Sequence, residues 1–228
     1  MKMACLERRT DYRGHMAGAA VRAFLGSQGL GALPRWMEEL PRRPRRAVLV
    51  PTAGNPLSST PWVGEVAEHL AACGVQVEYL DLEGARPADV SGAMGHCELV
   101  FVTGGHPVFL LEHAQRSGFA RIAGQAVLGG EIAYAGMSAG ASVASADLAF
   151  YQAPDDPGSV ETTEGLGLVG FFPLVHANRG RQERYARLIA AYGDRYEFVP
   201  INDDEAVTVT GETWQRQASA VTAPNPQS

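Results

Sequence analysis

Residues 132–144 read Ile132-Ala133-Tyr134-Ala135-Gly136-Met137-Ser138-Ala139-Gly140-Ala141-Ser142-Val143-Ala144. An apolar strand leads into a tight turn at Gly136–Gly140, and a run of small residues suited to opening a helix follows. This is the G-x-S-x-G pattern of a nucleophile elbow. The serine must sit at the tip of a strained strand-to-helix turn, with glycines beside it that let neighbouring backbone approach. The helix N-terminus then directs free N–H groups and the positive end of its dipole toward the hydroxyl. A plain turn could satisfy the pentapeptide alone. The apolar strand before it and the small-residue helix after it supply the context that an elbow requires.

Outward from this stretch, strand and helix patterns alternate. Val21–Leu25 is a short strand ending in the loop Gly26-Ser27-Gln28-Gly29, and Leu33–Leu40 is a helix with Pro34 in its first turn. The continuous apolar runs Ala47–Pro51 and Leu99–Val102 suit strands covered on both faces, as in a parallel sheet. Pro61–Ala72 carries Val63, Val66, Leu70 and Ala71 at helical spacing, and Val75–Leu82 alternates as a strand. Helical patterns begin at Val108 and cover Ile122–Val127. Residues 146–165 form a long aperiodic loop. Leu166–Val175 is apolar and ends at His176, an amphipathic helix spans Gly180–Tyr192, and strands at Phe198–Ile201 and Ala206–Val209 close the pattern. The expectation is a single three-layer α/β domain over residues 18–217, a doubly wound, mostly parallel sheet with helices on both faces. Residues 1–17 read as a disordered leader, in which Met16 is a second candidate start, and 218–228 as a loose tail.

The chain has 228 residues, ample for a buried core, and a formal net charge of −6, which disfavours nucleic acid as a partner. The basic cluster Arg42, Arg43, Arg45 and Arg46 reads as a solvated face. Cys5, Cys73 and Cys97 are widely spaced and form no metal or disulfide pattern. No apolar run approaches a membrane span, and no signal-peptide core is seen, so a cytoplasmic protein without membrane contact is expected.

In a doubly wound sheet, ligands bind beyond the C-terminal strand ends. Thr52–Asn55, Gly104–Pro107 and the Ser138 elbow all fall there. A nucleophilic serine needs a base, and the base an orienting acid. Of the six histidines, His176 ends an apolar strand downstream of the serine and is the best base. His106 also sits at a strand end and could line a pocket. For the acid, Asp147, Asp155, Asp156, Glu161 and Glu164 lie between Ser138 and His176, with Asp155 and Asp156 in a proline-bounded loop. An oxyanion hole would take one N–H from Ala139, next to the serine, and one from the Gly104-Gly105 loop, through Gly105.

The ordered set of these pieces resembles the serine peptidases that include aspartyl dipeptidase (dipeptidase E) and the cyanophycinases. Ser27-Gln28-Gly29-Leu30-Gly31-Ala32-Leu33 is similar to their first loop, and Val50-Pro51-Thr52-Ala53 to their second strand end. Phe101-Val102-Thr103-Gly104-Gly105 with Phe109-Leu110-Leu111 resembles their glycine loop and helix. Tyr134–Ala141 resembles their elbow, and Gly165-Leu166-Gly167-Leu168-Val169 their approach to the histidine. The resemblance spans about residues 18–211. It implies a fold like class I glutamine amidotransferases with serine at the elbow, and a Ser138–His176 pair. It puts the acid at Asp155, with Asp156 as the alternative. It also implies an arginine beyond the histidine that binds an acidic substrate residue, with Arg181 the nearest match and Arg179 and Arg184 its rivals. Departures are His106-Pro107 after the glycine pair, where Pro107 removes an N–H donor, and a shorter segment after the histidine. The implied activity is hydrolysis of short peptides through an acyl-enzyme, with no metal or cofactor. A cyanophycinase- or carboxypeptidase-like hydrolase and a non-catalytic amidotransferase-like binding protein are the alternatives. Glutamine amidotransfer is disfavoured, because no cysteine lies at an elbow. The sequence leaves the oligomeric state open, a homodimer included.

Overall fold

In β1 (Arg22–Gly26), β2 (Arg46–Val50), β4 (Leu99–Val102) and β5 (Ala133–Met137) nearly every side chain is buried, and neighbours along each strand belong to different cores. Phe24, Leu49, Leu99, Phe101, Ala135 and Met137 join one cluster; Ala23, Leu25, Val48, Val50, Val100, Val102 and Tyr134 join the other. That is the period of two expected for a sheet packed on both faces. Each fully buried Val, Leu or Phe adds about 2 kcal/mol of hydrophobic stabilisation. A computed structural model describes residues 20–221.

The first face is covered by α1 (Leu33–Glu39), through Leu33, Trp36 and Met37, and by α2 (Pro61–Ala72), through Val66 and Leu70. The second is covered by α3 (Pro87–Met94), α4 (Pro107–Arg116), α5 (Phe119–Leu128) and α6 (Ala139–Val143). Strand β3 (Gln76–Tyr79) is one edge of the seven-stranded sheet, whose order is β3-β2-β4-β5-β1-β8-β9. The first five strands in that order run parallel, and β8 (Glu205–Thr210) and β9 (Thr213–Ala218) are antiparallel additions. This is the mostly parallel three-layer α/β fold expected. A separate parallel pair, β6 (Phe172–Val175) with β7 (Phe198–Ile201), packs beside α7 (Gln182–Tyr192) through Leu174, Ala177 and Tyr185.

The structure departs from the sequence reading in four places. Leu166–Val175 is a strand only from Phe172 onward. Upstream of it, the N–H groups of Leu166, Gly167 and Leu168 bond the carbonyls of Val143, Ser145 and Ala144, closing the C-terminal end of α6. These residues are apolar because Leu166, Leu168 and Val169 enter the second core, not because they pair in a sheet. Helix α3 escaped notice because only Val90, Ala93 and Met94 are buried in it. Strand β9 escaped because its residues are largely polar and half-buried or exposed, so it shows no apolar run; it pairs with β8 along the backbone and through Arg216–Glu205 and Gln217–Thr208. Finally, the start of the 218–228 tail is not loose. Ser219 is fully buried, its hydroxyl donates to Gly29 O at 2.7 Å, and Gly31 N–H donates to Ala220 O at 3.1 Å. The 1–17 segment and the rest of the tail lie outside the described residues.

Because the central strands are parallel, the loops that follow β1, β2, β4 and β5 share one edge of the sheet. Ser27, Thr52, Gly104 and Ser138 therefore start from neighbouring strand ends. Among the described residues no helix is long and apolar enough to cross a membrane.

Candidate active site

Ser138 links β5 to α6 with φ 54° and ψ −109°, a conformation few non-glycine residues adopt. Strain of this kind costs on the order of 1–3 kcal/mol, so the surroundings must hold it. They do so from both sides. Ser138 N–H donates to Gly26 O at 3.0 Å, tying the elbow to the end of β1. On the other side, a Cβ on Gly140 would lie 2.1 Å from Val102 O, and one on Gly136 would lie 2.4 Å from Gly140 O. Only glycines let the turn close this tightly, which is the physical content of the G-x-S-x-G spacing.

Ser138 Oγ is 2.8 Å from His176 Nε2, and His176 Nδ1 is 2.6 Å from Asp203 Oδ1. A carboxylate can only accept, so the proton lies on Nδ1, and Nε2 presents a lone pair to the serine hydroxyl. His176 follows β6 with φ 58°, and Asp203 follows β7. The parallel pairing of β6 with β7, extended by Ala177 N–H donating to Ile201 O, delivers both side chains to the same end. Their side chains are only 12% and 14% exposed, so the pair is largely screened from water. Burial pushes the His176 pKa down, and its bond to Asp203 only partly offsets this. Burial alone would raise the Asp203 pKa, but hydrogen bonds from His176, Arg179 and Ser27 outweigh it and hold the carboxyl below its usual range.

The acid beside His176 is thus Asp203, not Asp155 or Asp156. Asp156 is engaged elsewhere: its carboxylate accepts from Val108 N–H at 2.8 Å and from Phe109 N–H at 3.0 Å. It caps the N-terminus of α4, where exposed N–H groups and the helix dipole favour an anion. Asp155 is exposed in the same loop. Asp156→Ala is expected to destabilise the protein by about 1–3 kcal/mol in urea unfolding while leaving turnover near native. A large loss of turnover with no loss of stability would contradict this capping role.

Gly104 lies against the elbow, since a Cβ there would be 3.0 Å from Ser138 Cβ. Its carbonyl accepts from Trp62 Nε1–H at 3.2 Å. In a trans peptide the N–H points opposite to the C=O, so the Gly105 N–H is turned away from Trp62. Gly105 itself has φ 144°, and a Cβ on it would collide with Ala53 O at 2.0 Å. Ala139 opens α6, so its N–H has no acceptor within the helix. Pro107 occupies the first position of α4, where a backbone N–H would have no intrahelical partner, so it costs the helix no hydrogen bond. His106 precedes it, its own N–H donating to Ala53 O at 2.8 Å.

Arg181 does not extend into open space. Its guanidinium donates to Val175 O at 3.4 Å and to Tyr185 Oη at 3.3 Å. Arg179 pairs with Asp203 Oδ2 and also donates to Gln28 Oε1. Arg184 reaches Phe150 O at 3.4 Å. Two residues escaped the sequence reading: Asp203 and Ser27. Ser27 stands directly after an apolar strand, the same cue that selected His176, and Asp203 lies one residue further on, after Asn202, in the turn that follows β7. Among the described residues no three His, Cys, Asp or Glu side chains gather as a metal site would require.

Fold and site together define a class: a three-layer α/β protein with a mostly parallel sheet, carrying a serine at its elbow beside a part-buried histidine–aspartate pair. The chain belongs to peptidase family S51, whose model matches residues 25–217. Two bacterial relatives agree. Uncharacterized peptidase Lmo0363 of Listeria monocytogenes is 26% identical over 194 residues, covering 83% of this chain and 94% of the relative. Uncharacterized peptidase Lin0382 of Listeria innocua is 27% identical over 194 residues, covering 83% and 92%. A solved structure of a candidate peptidase E protein from Listeria monocytogenes EGD-e superposes with a TM-score of 0.77 at 24% identity, covering 89% of this chain and all of that one. The protein is a peptidase, and its fold is that of this solved neighbour.

Proposed function

We infer that the protein is a serine peptidase of short peptides, working through a Ser138–His176–Asp203 triad. The observation that carries this reading is the continuous chain from Ser138 Oγ to His176 Nε2 at 2.8 Å and from His176 Nδ1 to Asp203 at 2.6 Å. His176 Nε2 takes the hydroxyl proton as Ser138 Oγ forms a bond to the scissile carbonyl carbon. The N–H groups of Gly105 and Ala139 stabilise the oxyanion. The C–N bond then breaks, and His176 passes its proton to the leaving amine. Water repeats the sequence on the acyl-enzyme and releases the acid. Asp203 keeps the imidazole in the correct tautomer and stabilises its charged form. No step calls on a metal or cofactor.

The site's field supports a preference for acidic peptides. Arg179 and Arg181 lie near enough to His176 to act on it electrostatically, so an acidic group of a substrate bound beside the ring would meet two guanidinium groups. Cys73 and Cys97 are free thiols, which fits a reducing, cytoplasmic setting.

The test is hydrolysis by the purified protein across a panel of di- and tripeptides with acidic, neutral and blocked termini. Turnover is expected, fastest with acidic members; no hydrolysis anywhere in the panel would overturn the reading. The pH profile adds a second check. The base must be neutral, so kcat/KM falls as His176 protonates at low pH. Because its pKa is depressed, the midpoint of this acid limb should lie below the ordinary histidine value of about 6.5. A midpoint above that value would contradict the assignment of His176 as the base.

A further inference from the structure

We propose that Ser27 is a positioning residue for the reaction, its hydroxyl binding the backbone of His176 and the carboxylate of Asp203 at once. The proposal rests on the Ser138–His176–Asp203 reading and adds a residue that does not itself touch the reacting atoms. Ser27 stands at the first position after β1, and Gly26 just before it accepts the backbone N–H of Ser138. The loop that carries Ser27 is therefore fastened to the elbow.

The residue is 1% exposed. Ser27 Oγ accepts the backbone N–H of His176 at 2.7 Å and donates to Asp203 Oδ1 at 2.9 Å. It also lies 3.1 Å from His176 Nδ1. A hydroxyl has one proton and two lone pairs. The carboxylate can only accept, so the proton goes to Asp203. One lone pair takes the His176 backbone N–H. The single Nδ1–H goes to Asp203 Oδ1 at 2.6 Å, with Ser27 Oγ beside it at 3.1 Å, and the set closes when Nδ1 carries its proton. That is the tautomer in which Nε2 can receive a proton from Ser138.

The arrangement also explains how His176 holds its left-handed backbone. At φ 58° its N–H is turned to Ser27, and without that acceptor a part-buried donor would be left unpaired. On the acid side, Arg179 grips only Oδ2 from an exposed position, whereas Ser27 fixes the oxygen that His176 uses. Ser27 therefore sets the rotation of Asp203 and the height of the imidazole from one atom.

Two variants and two readouts test the proposal. Ser27→Ala deletes the hydroxyl, and Ser27→Cys keeps nearly the same volume with a much weaker donor, guarding against a variant that fails to fold. Steady-state kinetics on a hydrolysed peptide should show kcat down about 10- to 100-fold with KM near native, the factor expected for losing hydrogen bonds to charged groups. In proton NMR, the low-field Nδ1–H resonance, identified by its loss in His176→Ala, should shift or broaden in both variants. A native Nδ1–H resonance in a folded variant would overturn the proposal even where kcat falls, since packing alone would then account for the loss. The NMR readout needs no turnover. Failure of the peptide panel would therefore count against the peptidase mechanism, while the resonance would still decide the role of Ser27.

Discussion

Asp203→Asn is expected to lower kcat/KM about ten-thousand-fold while the protein stays folded. The substitution keeps shape and volume but reverses hydrogen-bond logic. The asparagine amide could donate to Nδ1, so the imidazole would carry its proton on Nε2 instead, where it can no longer accept from Ser138. The charge that stabilises the imidazolium is lost as well. Arg179 would lose its ion-pair partner, but it is half exposed and water can replace the contact. The contrast that gives the experiment its force is with Asp155→Asn and Asp156→Asn, whose kcat/KM should stay close to native. If either of those variants lost activity as severely as Asp203→Asn, the acid would be misassigned. If Asp203→Asn kept native turnover, the orienting role of Asp203 would be wrong.

Ser138→Ala should reduce kcat by about a million-fold, near the limit set by binding and oxyanion contacts alone. Among the described residues no other nucleophile stands within hydrogen-bond reach of His176 Nε2: the second serine near the ring, Ser27, faces Nδ1 and is buried. The loss should be chemical and not structural. The fold of the turn depends on Gly136, Gly140 and the Ser138 backbone N–H, none of which the substitution removes. Its unfolding midpoint should therefore match that of the native protein. Residual hydrolysis at a substantial fraction of the native rate would show that another group attacks the peptide.

Much of this was legible in the residues. Continuous apolar strands marked a sheet covered on both faces, and the elbow and His176 each stood at a strand end, as open α/β sheets require of their binding residues. The acid was not legible for a specific reason. Asp155 and Asp156 fall between serine and histidine in sequence, the order many α/β hydrolases use. Proximity in sequence says nothing about which carboxylate the β6–β7 pairing carries to His176. That pairing, in a two-stranded sheet apart from the main one, brings Asp203, the second residue after β7, beside His176, the first after β6. The same limit applies to Ser27, whose partners are 149 and 176 residues away in the chain. Arg181 shows the converse. Its position after the histidine suggested a substrate contact, yet the fold turns its guanidinium onto Val175 O and Tyr185. What it retains is an electrostatic influence on His176.

The central claim is that Ser138 is a nucleophile activated by His176 and Asp203, and covalent trapping tests it most directly. A fluorophosphonate should add one phosphonyl group per chain, located by peptide mass spectrometry at Ser138. The labelling rate should fall steeply in His176→Ala and Asp203→Asn and remain near native in Asp156→Asn. A catalytically active protein that takes no label at Ser138, or takes it there as fast without His176 and Asp203, would contradict the account.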